Sequence, residues 1–436
     1  MGAVARQVLA VCCFLVLVAA WTRKRYDNYQ VLRIVPKTED EVGVIKELRT
    51  RFPRELDFWS EPMHANSPID VMVPPNLQSP ILRFLKQNTI HYDTIMENVQ
   101  GMIDEQIQQA SKAKDDRRSG TTLENFDYSV YHTMDEINDW MTYMVTSYPN
   151  LTEKITVMES YEGREVWGLK IRKSSSRKAP AIFFEGGIHS REWISPATML
   201  YFIKELLEKY ESDRVVRKLV SFFDWYIVPV LNPDGYIYTW TTDRMWRKSR
   251  EPNEGSPCVG TDLNRNWGFG WAAPGGSSDD PCTIIYHGAG PNSTPEINGT
   301  QQFLSDLHTK QGLAFFVDWH SYGQMWLAPW AFTYDYPEDY SHHLKLAEEL
   351  VGKLTSWYGT QYRYGPTSHV IYPASGSSLD WVHGALGVKH AYAAELRDHF
   401  YSPYGFLLPE RQIIPTAQET WAGVKAAAMY ILKNEL

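Results

Sequence analysis

The 436-residue sequence predicts a doubly wound, mixed α/β sheet with helices on both faces, preceded by a small α+β unit of ferredoxin-like plan. Three observations carry this expectation. From Tyr128 to the C-terminus, short apolar strand-like runs alternate with helix-period segments, the pattern of a sheet served by crossover helices. Residues 26–97 follow an order of their own, β-α-β-β-α-β, which is the split-βαβ plan. Between the two lies a polar, helix-prone stretch, Asp104–Lys114, that ends in Asp115-Asp116-Arg117-Arg118-Ser119-Gly120. A soluble connector with paired arginines is where a trypsin-like or dibasic protease can cut.

In the small unit, Tyr29–Val35 alternates like a strand, and Thr38-Glu-Asp-Glu opens a helix carrying Val42, Val44, Ile45 and Leu48. Strand-like runs follow at Leu56–Trp59 and Ile69–Val73. A helix with Ile81, Leu82, Phe84 and Leu85 leads to a last short strand at Tyr92–Met96. This unit has no clustered His or Cys and no paired acids to suggest chemistry of its own. In the large unit, Thr133–Ser147 reads as an amphipathic helix and Ala179–Gly186 as a buried strand. Ile194–Lys209 reads as a helix and Phe222–Val230 as a strand, Ala314–Trp319 and Val388–Ala394 as further buried strands, and Gln412–Asn434 as mostly helical.

Residues 1–20 carry Arg6 and then an apolar run ending in Val18-Ala19-Ala20, the features of a cleaved secretory leader. A signal anchor is the alternative, although the run is short for a membrane span. No later stretch is long and apolar enough to cross a bilayer, so a soluble mature chain is expected, and with the leader a secreted one; a monomer is also expected. Removal of the leader takes Cys12 and Cys13, leaving Cys258 and Cys282 for an oxidising compartment. These two are expected to form a disulfide closing a Gly/Ser/Pro-rich loop, with free buried thiols as the alternative. Sequons at Asn150, Asn292 and Asn298 are compatible with a glycoprotein. The net charge of −9 offers no broad field for phosphates, which argues against a nucleic-acid partner.

In open α/β sheets, ligands bind beyond the carboxyl ends of strands. After the run ending Gly186-Gly187-Ile188 comes His189-Ser-Arg191-Glu192. His320 follows Ala314–Trp319, and Glu395 and Arg397 follow Val388–Ala394. Two imidazoles and a carboxylate with one open position are the donor set of a hydrolytic zinc site, and a further carboxylate can serve as base. H-x-x-E alone is weak, because His and Glu at that spacing are usually surface residues. Taken singly, His320 also fits a satisfied core histidine, and Glu395 a buried pair with Arg397. The remaining histidines read as ordinary, with His342 and His343 on a polar helix face. Asp262 is a candidate to fix the tautomer of a ligand imidazole.

From residue 119 onward the chain resembles the pancreatic-type zinc metallocarboxypeptidases. The resemblance rests on Gly187-Ile-His189-Ser-Arg191-Glu192-Trp193-Ile-Ser-Pro196, Asn232-Pro-Asp-Gly-Tyr236 and Arg244-Met-Trp246-Arg247-Lys248. It extends through Asp262-Leu-Asn264-Arg265-Asn266-Trp267, His320-Ser-Tyr322, Ile371–Trp381, Glu395-Leu-Arg397-Asp398 and Tyr404–Pro409. The N-terminal unit is similar to the family's inhibitory pro-segment. The resemblance implies a leader at 1–20, an activation segment at 21–118 and a catalytic domain at 119–436. It implies one Zn2+ on His189, Glu192 and His320, with Glu395 as general base and Arg247 stabilising the oxyanion. Asn264, Arg265 and Tyr372 match residues that grip a substrate's C-terminal carboxylate. Arg191 and Tyr322 match accessory subsites, and Phe406 a contact for the residue before the cut bond.

Leu379 stands where basic-specific relatives carry an acid, and Leu327, Ile371, Ala374 and Ala393 complete an apolar wall. A Lys or Arg side chain would find no counter-charge there. Release of aromatic or large aliphatic C-terminal residues is therefore expected, the A-like class. Ala331 and Ser377 replace commoner glycines and narrow the pocket, whereas Ala393 replaces a larger residue and deepens it. Pro373 stiffens the chain after Tyr372. Two other readings stand beside this one: a catalytically silent secreted binding protein of the same fold, and a zinc amidohydrolase of small acyl-amino acids.

Overall fold

The computed structural model describes residues 23–62, 64–118, 123–173 and 178–436. The leader expected at 1–20 lies outside them, as does the stretch 119–122 that follows the paired arginines. In the first unit the elements run β1 (Gln30–Ile34), α1 (Glu39–Arg51), β2 (Asp57–Phe58), β3 (Ile69–Val73), α2 (Pro75–Gln87) and β4 (Tyr92–Met96). This is the expected β-α-β-β-α-β order, with β2 shorter than the run Leu56–Trp59 suggested. The strands form an antiparallel sheet in the order β2-β3-β1-β4. Thr38 caps α1 by accepting from the Glu41 amide at 3.2 Å, satisfying one of the free donors of the first turn.

Strand alternation gives this sheet two separate tasks. Leu32, Ile34, Phe58, Ile69, Val71 and Val73 face α1 and α2 and pack with Ile45, Leu48, Ile81 and Leu85. Val31, Trp59 and Met72, one residue out of step, pack instead against Met245, Tyr322, Phe406 and Leu407 of the large unit. Arg33 and Asp70 are cross-strand partners that form a buried bidentate pair at 2.7 and 2.7 Å. From there, α3 (Val99–Arg118) carries the chain to the large unit. It begins five residues before the expected Asp104, because Val99 and Ile103 are drawn into the same interface.

The large unit continues with α4 (Met134–Ser147), β5 (Thr152–Glu159), β6 (Glu165–Ile171), β7 (Ala181–Gly186), α5 (Ile194–Glu208), α6 (Arg214–Phe222), β8 (Asp224–Val228) and α7 (Pro233–Thr241). It ends with α8 (Pro295–Gln311), β9 (Leu313–Ser321), β10 (Met325–Ala328), α9 (Tyr340–Tyr358), β11 (Arg363–Pro366), α10 (Thr367–Val370), α11 (Ser378–Gly384), β12 (Ala391–Leu396) and α12 (Ile413–Asn434). The eight strands lie in the order β11-β10-β12-β9-β7-β8-β6-β5, with β12, β9, β7 and β8 mutually parallel at the centre. Alternate residues of β7 enter opposite cores. Ile182 and Phe184 meet α4, α5, α9 and α12, while Ala181 and Phe183 meet α8 and α11. Helices thus cover both faces, as a buried parallel centre requires.

Cys258 and Cys282 form the expected disulfide, with an S–S distance of 2.05 Å. Asn150 and Asn298 are exposed, whereas the Asn292 side-chain oxygen is buried. Replacing Arg33 by Met leaves the Asp70 carboxylate buried without its partner cation. Urea unfolding of the Arg33→Met precursor should show a loss of about 3–5 kcal/mol, largely recovered by adding Asp70→Asn.

Candidate metal centre

Three parallel strand ends and one turn build the site. Gly187, at φ +63°, turns the chain out of β7, and its ideal Cβ would lie 3.2 Å from Pro196 and 3.3 Å from Val230. The turn that follows carries His189 and Glu192. His320 and Glu395 sit one strand apart, paired directly in the β9–β12 register. Both strands extend two residues further than their apolar runs, so His320 and Glu395 lie within the ladder rather than after it.

His189 Nδ1 lies 2.9 Å from Glu192 Oε1, 3.0 Å from His320 Nδ1, and His320 Nδ1 lies 3.1 Å from Glu192 Oε2. All three residues are buried. The other ring nitrogens are engaged by carboxylates. His189 Nε2 is 3.1 Å from Asp262, as expected, and His320 Nε2 is 2.8 Å from Asp318. With both Nε2–H groups donated outward, two imidazole lone pairs face each other across 3.0 Å. Neutral rings have no proton to place between them, so the arrangement calls for a cation. Tetrahedral zinc with bonds of ~2.0–2.1 Å needs ligand atoms ~3.3 Å apart, close to the three separations here. The donor set fits.

The electrostatics follow from burial among like and unlike charges. Burial opposes ionisation of Glu192, but the flanking imidazoles outweigh it and hold the carboxyl well below the usual range. Asp262 is held low in the same way, chiefly by Arg247 and His189. Burial pushes Glu395 up to about 8, and one of its oxygens has no hydrogen-bond partner. Arg397 does not pair with it; that guanidinium bonds to Glu419 at 2.8 Å. Arg247 binds Asp262 through Nε and Nη2 at 3.2 and 2.8 Å, which leaves Nη1 3.6 Å from Glu192.

The same cavity is lined by Asn264, Arg265, Tyr322, Tyr372, Leu379 and Phe406. Arg265 donates to the Asn264 carbonyl at 2.9 Å, while its buried Nε has no partner. The Asn264 side-chain oxygen accepts from the Ser378 amide at 2.9 Å, which leaves its amide nitrogen 3.0 Å from His320 Nε2. Leu379, Leu327, Met325 and Ala393 form one apolar cluster with Ile371, and Ala374 lines the cavity beside them. Arg191 is turned away from the metal-binding trio and donates to Asp57 of the N-terminal unit at 2.7 Å.

Four contributors were not anticipated. Asp318 and Glu185 stand in apolar strand runs, and an acid inside such a run was the signal for both. Phe400 and Trp59 line the cavity with no pattern to mark them. One expectation is corrected: His343 is buried, not on a polar face. It forms a second possible ligand group with Asp339 and His383. Its Nε2 lies 2.6 Å from the Lys389 carbonyl, and His383 Nδ1 lies 3.0 Å from that of Val388. Those bonds tie α9 and α11 to the loop before β12.

The chain's residues 137–423 match the zinc carboxypeptidase family model, and residues 32–106 match the carboxypeptidase activation peptide. The chain belongs to the zinc carboxypeptidase family. It is a metallocarboxypeptidase with a zinc cofactor and an activation peptide, and it acts on peptide C-termini. It is 40% identical to carboxypeptidase A1 of Bos taurus over 417 residues, covering 95% of this chain and 97% of that protein. Among solved structures it resembles thrombin activatable fibrinolysis inhibitor, with TM-score 0.84, 32% identity and coverage of 94% and 100%. It also resembles carboxypeptidase A from Helicoverpa armigera, with TM-score 0.85, 26% identity and coverage of 94% and 99%.

The enzyme's Asp318 holds the His320 tautomer, so Asp318→Asn should weaken zinc binding. A chelator-competition titration should read a loss of roughly 10–100-fold.

Proposed function

We propose that the chain is a secreted zymogen with a leader at 1–20, an activation segment at 21–118 and a catalytic domain at 119–436. In this reading the mature enzyme releases aromatic or large aliphatic C-terminal residues from peptides and proteins after a trypsin-like protease cuts near Arg118. The observation that carries it is the His189–Glu192–His320 triangle sharing one cavity with the free edge of Arg265 and the apolar wall at Leu379.

His189, Glu192 and His320 hold the zinc. An ion held there would supply Lewis-acid polarisation of a carbonyl and a more acidic water. Arg265 takes the substrate's terminal carboxylate through its unpaired edge, assisted by Tyr372 and Asn264, which restricts cutting to chain ends. Glu395 removes a proton from the attacking water and delivers it to the departing amine. Arg247 stabilises the developing oxyanion with the nitrogen that Asp262 leaves free, an effect worth about 10²–10³ in rate. Arg191, Tyr322 and Phe406 contact upstream substrate residues. The terminal side chain enters the apolar pocket, where Leu379 supplies no counter-charge to a Lys or Arg.

Blocked dipeptides ending in Phe, Leu, Lys or Glu, offered to trypsin-trimmed protein, should lose Phe and Leu fastest. Leu379→Asp should raise Lys release and lower Phe release, each by about tenfold or more. Preferred release of Lys by the unmodified enzyme would overturn the pocket assignment.

Glu395→Gln should retain zinc while kcat drops about 10²–10⁴-fold. The base works only when ionised, so kcat/KM should fall as pH drops through its pKa. The buried carboxyl starts from about 8, and the bound cation draws it downward. The acid limb should therefore lie below pH 8 and vanish in the Gln variant.

A further inference from the structure

Apart from the catalytic trio, a second group of donors meets where α9, α11 and the loop before β12 come together. Asp339 precedes α9, His343 lies one turn into it, and His383 sits in the last turn of α11. One ligating atom from each lies within 4.8 Å of the others. A single Asp339 oxygen, Oδ1, is 3.5 Å from His383 Nε2 and 3.7 Å from His343 Nε2. Tetrahedral zinc asks for ligand atoms ~3.3 Å apart, so a small turn of the Asp339 carboxylate brings these pairs to the required separation. The protons leave the group unsettled. His383 Nδ1 donates to the Val388 carbonyl at 3.0 Å, so the neutral ring turns the lone pair of Nε2 toward the Asp339 carboxylate. Burial holds His343 down at about 4, and its ring is neutral as well. Its Nε2 proton goes to the Lys389 carbonyl at 2.6 Å, and its buried Nδ1 has no hydrogen-bond partner among the described residues. Two neutral imidazoles and a carboxylate are thus drawn close with no positive charge among them.

We propose that Asp339, His343 and His383 form a second metal site, separate from the catalytic one, which takes a divalent transition ion such as zinc. Two ring nitrogens and one carboxylate oxygen suit zinc, copper or nickel, whereas calcium and magnesium want a shell of oxygens. Coordination through both Nε2 atoms moves the His343 ring proton to Nδ1 and frees the Lys389 carbonyl oxygen beside the ion. His383 already holds its proton outward on the Val388 carbonyl, the arrangement that orients a ligand imidazole. The way in runs through Asp339, which is partly exposed, past the exposed Asp335 and Glu338. Because one proton must shift and one carboxylate must turn, the site binds more weakly than the trio at His189, Glu192 and His320. An ion there fastens α9 to α11, the helix that carries Leu379, and to the loop that leads into the strand of Glu395. None of its three ligands lines the catalytic cavity, so the site does not depend on the carboxypeptidase reading.

The test dialyses the full-length precursor against rising zinc and follows metal content and melting temperature. Uptake should pass through a tight ion to a second, weaker one, and the melting temperature should rise again with the second. Calcium should produce neither change. Asp339→Asn and His383→Ala should each weaken the second uptake about 100-fold or more and leave the tight ion in place. Asp339 is partly exposed, so its variant serves even if His383→Ala fails to fold. Glu395 is the other carboxylate where an additional zinc could sit, and the second uptake should therefore persist in Glu395→Gln. Absence of a second ion up to about 1 mM free zinc would overturn the site and leave a proton on His383 to close the gap to Asp339. A second ion that survives Asp339→Asn and His383→Ala, or that is lost in Glu395→Gln, would overturn it equally.

Discussion

Buried negative charge at one spot is the constraint on which the site depends. Glu192, Asp262, Asp318 and Glu395 converge on two imidazoles, with Arg247 as the cation bonded among them. Each carboxylate removed from water is costly unless it is paired. Asp262 and Asp318 spend their charge on the outer edges of the two rings, which makes the inner nitrogens better donors. Glu192 and the rings then face a space that only a cation can fill without repulsion. The folded chain is therefore most at ease with the dication its own carboxylates demand, while burial, more than the neighbouring charge, holds the Glu395 carboxyl above its ordinary range.

The sheet explains why these groups meet. Because β7, β9 and β12 are parallel neighbours, their carboxyl ends open on one side. The register sets Glu395 against His320 and Glu185 against Asp318. A one-residue slip would turn Glu395 into the opposite core. The apolar alternation that fills the two cores thus also fixes which side chains reach the metal, so packing and chemistry share one set of contacts.

Much of this was legible in the sequence because parallel strands are buried on both faces and read as unbroken apolar runs. The ligands followed directly after those runs. Edge elements were harder. β5 shows exposed Glu153 and Lys154, and β10 has four residues, so neither stands out from its surroundings. Asp318 was marked only by being an acid inside an otherwise apolar run. The inner face of the N-terminal sheet was illegible for a different reason. Asp57 and Trp59 look like ordinary strand residues until the large unit supplies their partners, and Arg33 and Asp70 until β1 is laid against β3. His343 was misread because one side of α9 is buried by Tyr392 and the loop before β12, which its polar neighbours conceal.

That inner face also explains how a tight cover can be released. Its apolar part gathers Val31, Trp59, Met72 and Met96 of the sheet with Tyr26, Val99 and Ile103. Around it run polar bonds that close only across the boundary, including Asp57 to Arg191, Tyr26 to Asp243 at 2.6 Å, and Gln106 to Arg244 at 2.8 Å. Arg33 and Asp70, by contrast, are paired within the N-terminal unit, and Tyr322 merely adds a bond to Asp70 at 2.6 Å. Separation therefore breaks no internal ion pair of that unit, and the groups it exposes regain water. While the connector is intact, tethering keeps the cover at a high effective concentration. Cutting it removes that advantage, and a surface of this polarity then has less to hold it than a purely apolar one of equal area.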